Sequence, residues 1–151
     1  MNWSAKLLAV LCIPLVGACA TSRLGDEKTA ELVDRLVTDM TSSPKKQRLA
    51  LQELERAGRV AIPYLVAHLD DTKRLAEESI TLSNQSPEAF EGLRHYSPRT
   101  VHDALSALLN QMTGQSFVFV YNGATDADRE RNLVAWRTWC LQEFAVKACG
   151  Q

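Results

Sequence analysis

The sequence predicts an all-α domain, a compact bundle of about five helices, and three observations support this fold class. Apolar residues recur at helical spacing through most of the chain, with charged residues on the opposite faces. Ser43-Pro44 combines a good N-cap with a proline at the first helical position. Gly58 and Gly114 each follow an apolar stripe, at the position where a left-handed residue ends a helix. A chain of 151 residues is expected to form one such domain.

The start of the chain has the pattern of a secretory signal. Lys6 supplies positive charge, and the apolar run 7–16 that follows is too short to span a bilayer. The run ends in small residues and a cysteine, Val16-Gly17-Ala18-Cys19. A plain secretory signal and a buried core helix are the alternatives. The cysteine argues against the first, and the terminal position argues against the second.

The run 16–19 resembles the bacterial lipobox, in which an aliphatic residue and small residues precede a cysteine. The resemblance implies that residues 1–18 are removed as a signal peptide. It also implies that Cys19 carries a diacylglycerol thioether and an N-acyl chain, which together give stable membrane anchoring. Because Cys19 is followed by Ala20 and not by an aspartate, the resemblance implies that in a Gram-negative envelope the protein is located at the outer membrane, facing the periplasm.

The mature chain is expected to divide into two parts. Residues 19–25 form the lipidated cysteine and a short polar tether, and residues 26–151 form the helical domain. The first helix is predicted at 26–41, and its apolar face comprises Ala30, Leu32, Val33, Leu36, Val37 and Met40. The short tether implies that the domain sits close to the membrane surface.

The central segment Ser43–Asp71 is predicted to form two amphipathic helices folded back on each other. The first ends at Gly58, and Pro63 must lie in the first turn of the second. The order of the residues resembles one HEAT repeat of the bacterial HEAT-like type, through Ala50, Leu54, Gly58, Ala61, Pro63, Leu65, Leu69 and Asp70. The resemblance implies a scaffold that binds other proteins. An ordinary helical hairpin is the alternative. A single repeat cannot bury its own face, so the flanking helices are expected to complete the core.

The remaining segments depart from a regular repeat. We expect an irregular loop at 72–97, with a short extended run at 79–82 and a weak helical turn at 88–94. Two further helices are predicted at 98–113, which begins with Ser97-Pro98, and at 126–146. Between them, the β-prone residues 117–121 have no partner strand, and we expect a short extended arm that packs over the helices.

Cys140 and Cys149 remain once the signal and the lipid site are assigned. On one continuous helix their Cα atoms would lie about 13 Å apart, beyond the limit of roughly 7 Å for a disulfide. A bond therefore requires the last helix to end near 144–147 and the tail to fold back. The alternative is a buried thiol at Cys140 with Cys149 free, and the spacing leaves both open.

No pattern for catalysis, metal binding or a cofactor stands out, and we predict that the protein is not an enzyme. His68, His95 and His102 are too scattered for a local metal motif. The sequence has no HExxH or CxxC motif, no glycine-rich phosphate loop and no nucleophile elbow. The formal net charge of −1 gives no strong field that would attract nucleic acid.

These features predict a lipid-anchored protein of the bacterial cell envelope that acts as a protein-binding or scaffolding module. The expected binding surface is a groove beside the 72–97 loop, and the expected partners are the membrane, through Cys19, and another envelope protein. A structural envelope component without a dedicated partner is the first alternative. A small envelope hydrolase, which would need a polar pocket with convergent histidine and carboxylate groups, is the second.

Overall fold

The computed structural model describes residues 18–144 and 146–150, with side chains from Gly25 onward. The predicted signal segment therefore lies outside the described residues except for Ala18, and Cys19 is described by its backbone alone. The helices are α1 (Ala18–Met40), α2 (Pro44–Ala57), α3 (Ile62–Ala67), α4 (Val101–Thr113) and α5 (Asp126–Phe144). The strands are β1 (Ile80–Ser83) and β2 (Leu93–Tyr96), and 3-10 turns occur at Gly58–Ala61, His68–Asp70 and Lys147–Gly150.

The fold is mostly helical, as predicted, but it contains a small two-stranded sheet that the all-α prediction lacked. The core lies between the helices and includes the predicted apolar face of α1. Its largest fully buried side chains include Trp136, Met40, Leu54, Ile62, Leu65, Leu69, Leu82, Leu105, Leu108 and Leu109. Burying these side chains is the main stabilising contribution to the fold.

Helix α1 begins at Ala18, so the prediction that it starts at residue 26 is wrong. The backbone of residues 19–25, expected to be a tether, is helical and continuous with the rest of α1. Val33, Leu36 and Val37 on this helix are buried, as their spacing predicts. The backbone of Cys19 and the folded domain therefore share one helix.

Helix α2 begins as the sequence predicts, because the Ser43 hydroxyl accepts a hydrogen bond from the N–H of Lys46 at 3.4 Å and Pro44 follows directly. It ends at Gly58, whose φ of 65° and ψ of −151° lie in a region that is essentially restricted to glycine. Pro63 lies in the first turn of α3, where its missing N–H costs no hydrogen bond.

The expected close pairing of the two central helices is wrong. Helix α2 packs chiefly against α1, whereas α3 packs chiefly against α5 and the C-terminal turn. The reason lies in the run from Gly58 to Asp70, which alternates between 3-10 and α geometry, so its apolar residues do not form one continuous stripe. Val60, an apolar residue of this run, is 66% exposed.

The 72–97 segment is more ordered than predicted. Ile80–Ser83 and Leu93–Tyr96 pair as an antiparallel hairpin, with Ile80 opposite Tyr96 and Ser83 opposite Leu93. The predicted helical turn at 88–94 is therefore wrong, since its last residues belong to β2. Ile80, Leu82 and Tyr96 are buried, and this side of the hairpin packs onto the helices.

The C-terminal helices also differ at their ends. Helix α4 starts at Val101 and not at residue 98, because Thr100 and Asp103 form a reciprocal capping box. Gly114 adopts the left-handed conformation at its end, with φ 71°. The 117–121 arm is not paired as a strand, and it packs over the helices with Val120 and Tyr121 buried.

Candidate functional site

A groove of about 720 Å³ lies beside the hairpin, on the side where α2 and α4 end. One wall is the end of α2 with Gly58 and Arg59, and the opposite wall is the end of α4 up to Gly114. The hairpin closes the groove between them with Arg94 of β2 and the connection at 85–87. The structure thus forms a groove beside the segment where the sequence placed the binding loop.

The buried side chain of Gln111 ties the hairpin to α4. Its amide nitrogen donates to the hydroxyl of Tyr96 at 2.8 Å, and its amide oxygen accepts from the N–H of Gln85 at 3.2 Å. On the other wall, the carboxylate of Glu55 accepts a hydrogen bond from the N–H of Ser83 at 2.8 Å. These long-range bonds hold both strands in place, so the groove is preorganised by the fold.

The groove presents both acceptors and cations. Two helices end at it, and the last carbonyls of a helix carry partial negative charge. The guanidinium of Arg94 lies at the groove and has no ion-pair partner within the described part of the chain. Arg59 is held differently, by Glu143 at 3.4 Å and by the ring of Phe144 at 4.8 Å. This combination suits a polar segment that offers backbone N–H groups and a carboxylate.

Strand β2, which contributes Arg94 to the groove, is an edge strand of the sheet. The N–H of Asn84 donates to the carbonyl of Gly92 at 3.0 Å, and hydrogen-bonded pairs alternate along an antiparallel ladder. The backbone groups of Leu93 and His95 therefore point away from β1. The sheet has only these two strands over residues 18–144 and 146–150, so this edge is open. Phe90, at the connection between the strands, is fully exposed.

A buried ion pair joins the starts of α4 and α5. The carboxylate of Asp103 is fully buried, and Arg129 donates to it from Nε at 2.8 Å and from an η nitrogen at 3.0 Å. The bond to Asp103, more than any other contact, raises the pKa of Arg129. Asp126 also accepts from Arg129, at 3.1 Å. The pair fixes the geometry of two helix starts and does not line the groove.

The three histidines have separate partners. His68 contacts the carboxylate of Asp34 at 2.7 Å, and His95 contacts the hydroxyl of Thr81 at 3.0 Å. His102 is buried and its Nδ1 contacts the carbonyl of Leu69. Burial lowers the pKa of His102 below its usual value, more than any other influence on it. Among the residues with described side chains, no group of histidine, cysteine and carboxylate side chains is arranged to hold a metal ion.

The structure joins Cys140 and Cys149 in a disulfide, with their Cα atoms 5.5 Å apart. Helix α5 ends at Phe144, and the turn Lys147–Gly150 folds back to make the bond. This is the geometry that the spacing argument requires. Both cysteines are buried, and the turn packs against α3 and α5.

The predicted site residues thus fall into three places. Cys19 lies in the first turns of α1, the disulfide lies at the C-terminal end, and the groove lies between α2, α4 and the hairpin. Sequence reasoning missed Gln111 and Arg94, because nothing local marks them before the hairpin is known. It also missed the capping box of α4, although Thr100-x-x-Asp103 is a recognisable signal.

Comparison with known proteins gives no further assignment. No protein-family model, no curated protein and no solved structure matches the chain. Within the described part of the chain, every helix is too short or too polar to cross a membrane.

Proposed function

We propose that the protein is a lipid-anchored module of the bacterial cell envelope that binds another envelope protein. The observation that carries the binding role is the preorganised groove, because the edge strand β2 contributes to it an arginine, Arg94, that has no ion-pair partner among the described residues. The anchoring role is supported by the run Val16-Gly17-Ala18-Cys19. The proposed location is the outer membrane, facing the periplasm.

The proposed ligand is an extended segment of the partner protein. An extended chain adds to an open sheet edge through main-chain hydrogen bonds, and side-chain contacts then give specificity. The backbone groups of Leu93 and His95 would supply the edge bonds. A carboxylate of the segment would pair with Arg94, and its backbone N–H groups would meet the carbonyls at the ends of α2 and α4. No catalytic residue, metal or cofactor is part of this proposal.

The segment 43–71 is proposed to be a HEAT-like unit within this module. The cap at Ser43, the end of α2 at Gly58 and the position of Pro63 support the proposal. Within this unit, α2 packs chiefly against α1 and not against α3. The unit would therefore serve as part of a compact bundle, and not as one step of a solenoid.

The binding role is tested by crosslinking in native membranes. A photoreactive residue at Phe90 is expected to capture a defined protein, identified by mass spectrometry, whereas the same residue at the exposed Val134 of α5 is not. Arg94→Glu is expected to reduce capture at least tenfold, because it places a negative charge where the segment carries one. Arg35→Glu is the matched control, since Arg35 is an exposed arginine on α1. Equal capture by the two charge-reversed variants would contradict the groove assignment.

The anchoring role is tested separately by incorporation of labelled palmitate. The wild-type chain is expected to incorporate label and to sediment with membranes. Cys19→Ser is expected to do neither, because it lacks the thiol that accepts the diacylglycerol. Equal labelling of the two chains would contradict the lipoprotein assignment and would leave the groove to be judged on the crosslinking result.

A further inference from the structure

A second concavity, of about 480 Å³, lies between α1, α3 and the C-terminal turn, and we call it the apolar cleft. Its lining is mainly apolar and includes Val60, Pro63, Tyr64, Phe144 and Val146. Val60 and Val146 are exposed at its rim, and they belong to different parts of the chain. The fold therefore brings apolar side chains together at one end of the domain and leaves them uncovered by any described residue.

The position of the apolar cleft relative to Cys19 is set by α1. Asp26 of this helix lines the cleft, and the helix continues without interruption back to Ala18. Asp26 is seven positions after Cys19, which corresponds to about 10 Å along a helix axis. The proposed site of the acyl chains thus lies within about two helical turns of the cleft.

The charges around the apolar cleft nearly cancel. Arg59 and Lys147 contribute positive charge, and Asp26 contributes negative charge. Glu143 pairs with Arg59 at 3.4 Å, and the Arg59 guanidinium also covers the ring of Phe144. A surface with exposed aliphatic side chains, a tyrosine and long basic side chains suits the boundary between lipid headgroups and acyl chains. Attraction to anionic lipid would add little, because the net charge is small.

We propose that this end of the domain rests on the lipid surface, with Val60 and Val146 at the level of the headgroups. The inference rests on the proposed lipid anchor at Cys19 and adds an orientation to it. The occupant of the apolar cleft is the bilayer surface itself, because the helix that carries the anchor also forms one wall of the cleft. The domain would then lie against the membrane in one orientation.

The test uses the lipidated full-length protein with an environment-sensitive fluorophore on a single cysteine. Cys12 leaves with the signal, Cys19 is acylated, and Cys140 is bonded to Cys149, so Val60→Cys introduces the one reactive thiol of the mature chain. The labelled protein is reconstituted into vesicles of phosphatidylethanolamine and phosphatidylglycerol that contain a nitroxide-labelled lipid. Fluorescence quenching by the nitroxide measures contact with lipid.

Val134→Cys is the matched control. Val134 is also an exposed valine, 55% accessible against 66% for Val60, so the label perturbs both sites equally little. It lies ten residues before Phe144 on α5, roughly 15 Å along the helix from the apolar cleft. Val146→Cys is a second test position on the rim. Circular dichroism of each labelled chain checks that the fold is retained.

We expect quenching at Val60 and Val146 to be several-fold stronger than at Val134, with a blue-shifted emission at both rim positions. Equal, weak quenching at all three positions in a palmitate-labelled preparation would overturn this inference and leave the anchor intact. A blue shift at Val60 without quenching by the lipid would show that a second copy or another protein covers the apolar cleft, which also overturns it. Absence of palmitate on Cys19 would overturn both the anchor and the orientation.

Discussion

Replacing Arg129 with methionine tests the buried ion pair between α4 and α5. Methionine keeps an unbranched side chain of similar length but removes both hydrogen bonds to Asp103. The Asp103 carboxylate is fully buried, so the variant leaves a charge in the interior without its cation. Breaking a buried pair in this way typically costs about 3–5 kcal/mol. Asp103 keeps the N–H groups of Arg99, at 3.1 Å, and Thr100, at 3.3 Å, so we expect the lower end of that range.

The assay is urea denaturation followed by circular dichroism at neutral pH. With an m-value of about 1–3 kcal/mol/M for a small protein, a loss of roughly 3 kcal/mol moves the midpoint by about 1–3 M urea. Arg131→Met is the matched control, because Arg131 pairs with Asp128 at the surface, and exposed pairs contribute only about 0–1 kcal/mol. Adding Asp103→Asn to Arg129→Met should recover part of the loss, since it removes the unpaired charge. A loss below about 1 kcal/mol for Arg129→Met would refute the reasoning.

Three other predictions concern pH, backbone conformation and the disulfide. Burial lowers the pKa of His102 below its ordinary 6.5, so as the pH falls the unfolded chain takes up a proton at a higher pH than the folded chain does. The free energy of unfolding therefore decreases as the pH falls through 6.5. His102→Gln should flatten this decrease between about pH 7 and pH 5. Alanine at Gly58 or Gly114 should lower the free energy of unfolding by about 1–3 kcal/mol, because both glycines have positive φ. Gly25→Ala in α1 should raise it by about 0.5–1 kcal/mol, because glycine inside a helix is destabilising relative to alanine. The denaturant midpoints of the three variants test this. Cys149→Ser should lower the free energy of unfolding by about 2–3 kcal/mol, which is the chain-entropy estimate for a closed loop of about nine residues. An unchanged thermal midpoint in non-reducing buffer would contradict this.

The helical elements were predictable where local signals agreed with packing. The cap at Ser43 and the end at Gly58 are both found, because side-chain capping and positive φ are properties of a few neighbouring residues. The start of α4 was misplaced because Ser97-Pro98 offers the same cap-and-proline pattern as Ser43-Pro44. Of the two candidate caps for α4, Ser97 and Thr100, only Thr100 has an acidic residue three positions later, Asp103, which completes the capping box.

Long-range pairing accounts for most of the remaining errors. The chain before α4 stays extended because Thr100 is bridged to Arg74, and the N–H of Val101 donates to the carbonyl of Lys73 at 2.9 Å. The second strand of the hairpin has an apolar residue, Leu93, on its exposed face and a charged, exposed residue, Arg94, on the same face as the buried Tyr96, so it lacks the apolar alternation that identifies a half-buried strand. The sequence predicts a groove beside this segment, but without that strand the residues that line it cannot be foreseen, since the hairpin contributes Arg94 and the connection at 85–87.

The continuity of α1 changes what the anchor would do. A flexible tether would let the domain rotate freely above the membrane, but a helix from Ala18 into the core transmits the orientation of Cys19 to the whole bundle. Arg59 borders both the groove and the apolar cleft, so the two concavities are neighbours at one end of the domain. If the apolar cleft rests on lipid, a segment bound in the groove lies beside the membrane surface. The partner expected from this geometry is therefore one whose extended segment lies close to the membrane, and a distant periplasmic partner would need a linker long enough to reach it.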